Sequence, residues 1–196
     1  TRDLAGWHAY APAVRADLCS TSLTTTCRIY LIDPIPLQPR ALDELIGSSG
    51  VAGIIVTNSN HQRAAVQLAQ QLAVPIFAHR EVFPNGQLSS WRTIADGEEI
   101  CEGLHVIGVE GAPQGEIALH YTGHGGILIV GDALINFEPH GFTFLPAKYC
   151  SNQKQMQRSL RKLLDYKARQ MLFAHGVPIL TDASKRLQRL LDSQSR

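Results

Sequence analysis

Hydrophobic and polar positions along the chain change period several times, and each change marks an element. Residues 27 to 33 (CRIYLID) form an apolar run that reads as a buried strand, stopped by Pro34 and Pro36 because proline cannot continue a ladder. Leu42, Leu45 and Ile46 then fall at helical spacing, Gly47 to Gly50 breaks the pattern, and Val51 to Thr57 (VAGIIVT) predicts a second strand. Ala64, Ala65, Leu68, Ala69 and Leu72 line one face of a helix expected to start near Ser59 or Asn60, residue types that cap free N–H groups. Val74 to Ala78 predicts another short strand.

The middle of the chain is different in kind. Ile94 to Val109, Glu116 to Tyr121 and Ile127 to Val130 read as successive strands, with turns at Asp96-Gly97 and Gly123 to Gly126, which predicts an antiparallel meander. From Asn152 the period is helical again, with Met156, Leu160, Leu163 and Leu164 on one face. A short strand, Met171 to Ala174, and a helix carrying Leu187, Leu190 and Leu191 follow. Two β-rich halves, each supplied with helices, cannot be buried by one sheet under one helical layer. The pattern therefore predicts an α/β (α+β) fold of four layers, an αββα sandwich of two mixed sheets flanked by helices.

Composition narrows the function classes. At 196 residues and 44% hydrophobic, the chain suits a single domain spanning residues 1–196. A formal charge of +1, with signs mixed along the chain, gives no footprint for nucleic acid or an anionic membrane. No apolar run approaches the length of a membrane span, and no basic-then-apolar signal segment opens the sequence at Thr1. Cys19, Cys27, Cys101 and Cys150 are widely spaced without a CxxC pair, which predicts reduced thiols in a cytoplasmic protein. The G-x-S-x-G setting of a serine nucleophile and the glycine-rich phosphate loops are missing from the sequence.

Six short pieces carry candidate chemistry: Leu31-Ile32-Asp33, Ile54 to Asn60, Asp96-Gly97-Glu98, Gly111 to Leu119, Gly131-Asp132-Ala133-Leu134 and Ala174-His175-Gly176. In this order and spacing they resemble the motif series of the metallo-β-lactamase-fold superfamily, over about residues 27 to 180. That family hydrolyses esters, thioesters, amides and phosphodiesters through metal-activated water. Its second motif, Thr-His-x-His-x-Asp-His, here reads Thr57-Asn58-Ser59-Asn60-His61-Gln62-Arg63. Asn58 and Asn60 thus stand at histidine positions, and Gln62 replaces the aspartate. Arg63, a permanent cation, replaces the last histidine. Ala112 occupies the place of the histidine in the family's Gly-His-Thr-Pro-Gly-Ser loop.

What the resemblance leaves in place is Asp132 at the bridging aspartate, His175 at the last histidine, and Asp33 at an acid that supports the ligands. Two uses of the cleft follow. In one the site is metal-free: Arg63 takes over the metal's charge in a network with Asp132 and His175, and Asn58, Asn60 and Ala112 fill the vacated pocket. In the other His61, Asp132 and His175 hold a single divalent metal, zinc by preference, and support hydrolysis, which requires His61 to swing in from a position where the family places no ligand. The expected partner is a small molecule; a scaffold role is a third possibility, and oligomeric state is not set by the sequence. His105, His120 and His124 read as exposed or hairpin-structural histidines, His79 as a loop residue, and Glu98, Glu99 and Glu102 as a solvated edge. Trp7, Trp91, Phe142 and Phe144 are candidates for cleft walls or core, and Gly141 to Pro146 is the segment expected to cover the site.

Overall fold

A computed structural model of the chain describes residues 3–25, 28–84 and 91–193. The first sheet runs in the order β1 (Leu4–Ala11), β2 (Ala16–Thr24), β3 (Ile29–Ile32), β4 (Val51–Val56), β5 (Ile76–Ala78) and β6 (Trp91–Thr93). Its first three strands pair antiparallel and the rest parallel. The second sheet contains β7 (Glu99–Cys101), β8 (Leu104–Gly108), β9 (Ile117–Tyr121) and β10 (Ile127–Val130). A separate hairpin of β11 (Leu134–Phe137) and β12 (Gly141–Phe144) follows, and β13 (Gln170–Phe173) then adds parallel to β10 at the sheet's edge.

Strand alternation sorts these sequences into three apolar layers. Tyr30, Ile32, Ile55, Leu104, Val106, Ile117, Leu119, Ile127 and Ile129 meet between the two sheets. The residues between them point outward. Leu31, Ile54 and Val56 pack with Leu42 of α1 (Pro39–Ile46) and with Ala65 and Leu68 of α2 (Ala65–Leu72). On the far side Ala118, Leu128 and Val130 pack with Met156 of α3 (Gln153–Leu160) and Leu187 of α4 (Ala183–Ser193). The molecule is therefore the mixed αββα sandwich that the periodicity predicts.

Three elements depart from the sequence reading. The hairpin β1–β2 lacks an apolar run to announce it, since no residue of β1 is fully buried and the buried stretch of β2 is mostly polar, Ser20 to Ser22. Helix α2 starts later than expected: Asn58 caps a single 3-10 turn, Ser59–His61, and Arg63 at φ 38° breaks the run before the helix begins at Ala65. Gly141 to Pro146 does not cover the site. It forms β12 and its exit, and buries Phe144 and Leu145 beneath the outer helices. The expected strand start at Cys27 lies outside the described residues.

Candidate metal centre

Parallel pairing aligns the carboxyl ends of β3 and β4 in one sheet and of β10 and β13 in the other, and the polar residues follow those ends. Asp33 comes after β3, Thr57 to His61 after β4, Asp132 after β10 and His175 after β13. The two sheets are joined here by backbone hydrogen bonds from Ile117 N to Thr57 O (2.8 Å) and from Cys19 N to Ala174 O (2.8 Å). Gly131 is required by packing: a Cβ at this position would sit 2.7 Å from both Glu116 Oε1 and Thr57 Oγ1.

At the centre is His61, 2% exposed. Its Nδ1 is 2.9 Å from Asp33 Oδ2, and its Nε2 is 3.0 Å from Asp132 Oδ1. Asp33 is fixed in turn by Thr57, whose backbone N–H donates to Oδ1 (2.8 Å) and whose hydroxyl donates to Oδ2 (2.6 Å). His175 Nε2 lies 3.2 Å from the same Asp132 Oδ1, and its Nδ1 donates to the carbonyl of Asp17 (3.0 Å). The other oxygen of Asp132 accepts from Asn58 Nδ2 (3.3 Å) and Asn60 Nδ2 (3.2 Å). The orientation of the Asn58 amide follows from its other end, because Oδ1 accepts the Asn60 N–H (2.8 Å) as the cap of the 3-10 turn.

Arg63 does not join this network. Its guanidinium donates to the carbonyls of Cys19 (2.7 Å), Asp33 (3.0 Å) and Ala174 (3.5 Å), tying β2, β3 and β13 together, and it forms no ion pair with Asp132. The charge role expected of Arg63 is filled by His61, already turned inward without the expected swing. The reason is local: the 3-10 turn and the left-handed Arg63 backbone rotate the His61 ring under Asp132. Ala112 is likewise not a pocket residue, since it packs in the apolar layer against the outer helices.

The charges explain the geometry. Burial alone would strip the proton from His61, but Asp33 and Asp132 on either side outweigh it and push the ring up to about 10. Burial would raise Asp33 and Asp132, yet the adjacent His61 wins and holds both below the usual carboxylate range. Glu116 behaves in the opposite way. It is buried without a cation of its own, beside the charge of Asp132, and is pushed up to about 8 while accepting from Asn58 Nδ2 (2.6 Å) and Ala133 N (2.9 Å). The sequence reading assigned Glu116 no part in the site. The available signal was strand alternation, which turns Ile117 and Leu119 into the layer between the sheets and leaves a carboxylate at the strand's start.

The donor set fits a divalent metal. A backbone carbonyl only accepts, so His175 Nδ1 carries the hydrogen in its bond to Asp17. Asp33 Oδ2 is likewise an acceptor for His61 Nδ1. When neutral, both rings therefore present an Nε2 lone pair to one carboxylate oxygen, an arrangement that is repulsive unless protons or a cation stand among the three atoms. Among the described residues His61, Asp132 and His175 form a group whose ligand atoms lie within 4.8 Å of one another. Two imidazoles and a carboxylate, each oriented from behind, are a donor set suited to zinc in number and type.

The remaining histidines fall elsewhere. His105 and His120 are direct cross-strand partners, with rings stacked at 6.2 Å, and His120 is buried rather than exposed. His124 pairs with Asp3 at 2.9 Å.

Comparison with known proteins agrees with this architecture. A family model described as metallo-beta-lactamase superfamily matches residues 1–194. A metallo-beta-lactamase family protein from Thermus thermophilus superposes with a TM-score of 0.72 at 19% identity, over 100% of this chain and 80% of its own. An archaeal metallo-beta-lactamase superfamily protein from Sulfolobus tokodaii gives 0.75 at 13%, over 100% and 87%. A metallo-beta-lactamase from Pontibacter korlensis gives 0.73 at 15%, over 97% and 94%. At these identities the likeness concerns the fold. None of the curated proteins matches the sequence.

Proposed function

Since the chain belongs to the metallo-beta-lactamase superfamily, we propose that it is a hydrolase that works with one divalent metal, zinc by ligand chemistry, held by His61, Asp132 and His175. One observation carries this reading: two imidazole Nε2 atoms, each with its Nδ1 committed to an acceptor, converge on the same oxygen of Asp132 at 3.0 and 3.2 Å. When bound, such a metal supplies Lewis-acid polarisation and lowers the pKa of water.

The protein's own residues prepare that chemistry. Asp33 holds the Nδ1 proton of His61 and so aims Nε2 at the centre, and the Asp17 carbonyl does the same for His175. Asn58 and Asn60 occupy one oxygen of Asp132 and leave the other for the centre. Glu116, carrying its proton near neutral pH, braces Asn58 without adding a third negative charge. Access is from the side of His175 and Asn60, since His61 is sealed beneath them. The natural partner on this reading is a small molecule, and the free thiols of Cys19, Cys101 and Cys150 accord with a cytoplasmic location.

A second reading has its own support: with His61 as an imidazolium between two carboxylates, the centre balances its charge without a metal and serves as a binding pocket. Elemental analysis separates the two. Protein purified without chelator, and a second sample exposed to zinc, manganese and iron before desalting, should carry close to one metal per chain, lost on Asp132→Ala or His175→Ala. No metal in either sample would overturn the hydrolase reading in favour of the pocket.

A further inference from the structure

A cavity of about 800 Å³ opens beside the centre, between β1–β2 and the segment formed by β13 and its following loop. It shares its wall with the site. Asp17, whose carbonyl orients His175, lines it, as do Cys19, whose carbonyl holds Arg63, and Gly176, next to His175 in sequence. The ring of His175 itself is not among the residues that line it.

Its lining defines the chemistry it accepts. Trp7, Phe137, Leu172 and Phe173 supply the apolar walls. Two of these are fixed in place: Trp7 Nε1 donates to the Ile35 carbonyl (3.2 Å), and Phe173 packs edge-on against Phe142 at 5.7 Å. Rigid apolar walls lower the ordering cost of binding. Arg15, Asp17 and Glu138 contribute charges of both signs, so neither an anion nor a cation is selected. The volume is that of a site enclosing a small organic molecule.

We infer that this cavity binds a neutral small molecule with a largely apolar acyl or aryl body. The assignment of the cavity stands apart from the hydrolase reading, under which that molecule would be a substrate.

Binding is testable without turnover. The neutral fluorophore N-phenyl-1-naphthylamine should bind the wild-type protein saturably, with enhanced emission that 1-decanol reverses. Gly6 lines the cavity, and a Cβ there meets only the Ser20 carbonyl at 3.6 Å, so Gly6→Phe should fill the space and weaken probe binding about tenfold, roughly 1.4 kcal/mol. Phe137→Ala, which removes a wall without adding bulk, should weaken it several-fold and guards against misfolding of the first variant. Absence of saturable binding, or affinity unchanged in both variants, overturns the inference. So does a dimer in light scattering that Gly6→Phe abolishes, because a second copy would then occupy the groove. Probe binding without metal leaves the cavity assignment standing and removes the hydrolase reading; metal without probe binding does the reverse.

Discussion

His61 and His120 are both buried histidines next to a β-sheet, yet their surroundings impose opposite protonation states. His61, at the carboxyl end of the first sheet, lies between Asp33 and Asp132, with both ring nitrogens within 3.0 Å of a carboxylate oxygen. His120, on the helix-facing side of β9, is stacked on His105 and lies 4.7 Å from the Tyr166 ring, with neither ring nitrogen hydrogen-bonded to protein. Burial, reinforced by the facing His105, lowers its pKa from the ordinary value. Burial sets the cost in both places, and the partners decide the outcome. A buried imidazole between carboxylates is held in its charged form, whereas one surrounded by rings acts as a wedge in the core.

The comparison breaks most visibly if the partnered ring is removed. His61→Ala removes the imidazolium that Asp33 and Asp132 share in the metal-free protein and leaves Asp132 only the His175 ring and two asparagine amides, and removing one member of a buried ion pair costs about 3–5 kcal/mol. Urea denaturation of the metal-free protein at pH 7 is expected to show a loss in that range. A loss below ~1 kcal/mol would mean that the carboxylates find other partners and that His61 is not their counter-charge. The direction with pH follows from the raised pKa: the contribution of His61 is fully present below its unfolded value near 6.5 and is lost as pH rises through about 10.

Arg63 tests the same rule with carbonyls in place of carboxylates. Its guanidinium satisfies three backbone oxygens from three strands, a fork that the compact ammonium of lysine cannot reproduce. Arg63→Lys should cost about 1–2 kcal/mol while leaving metal content unchanged, because the side chain does not reach Asp132. If Arg63→Lys instead abolishes metal binding with little loss of stability, the guanidinium has a direct role at the centre.

These residues also show how far the sequence could be read. The layers were legible because alternation in Tyr30 to Ile32, Ile117 to Leu119 and Ile127 to Val130 sorts side chains to two faces of each sheet. Asp33, Asp132 and His175 were legible only through the resemblance of the pieces that carry them to the superfamily's motif series, since an acid or a histidine after an apolar strand is by itself common. The inward turn of His61 was not, since it depends on a 3-10 turn and on a left-handed backbone at Arg63 that no residue pattern announces. Strand β1 was hidden by its exposure, and β2 by the polar Ser20 to Ser22 in its buried stretch. Besides pairing with β3, the hairpin meets the loop after β13, more than 150 residues away, as in the bond between His175 and Asp17.

Removing the unpartnered ring should have the opposite sign to removing His61. His120→Phe retains a flat apolar body against Tyr166 and deletes two nitrogens that have no hydrogen-bond partner in the protein. It should stabilise the fold by about 1 kcal/mol, the desolvation cost of an unmet polar group. A destabilisation of that size would reveal a partner for the ring, such as an ordered water.

The smallest effect is the most specific. A histidine whose pKa is lowered by folding binds fewer protons in the native than in the unfolded state, so stability falls as pH drops below the unfolded value near 6.5. Even with native protonation fully suppressed, the loss at pH 6 is no more than about 0.8 kcal/mol. It should be present in the wild-type protein and absent in His120→Phe, read as the difference in urea midpoints between pH 7.5 and 6. His61 and the carboxylates around it are common to both proteins, so their contributions cancel in that difference. Equal pH dependence in the two proteins would mean that His120 takes up its proton as readily folded as unfolded, and the contrast with His61 would then rest on geometry alone.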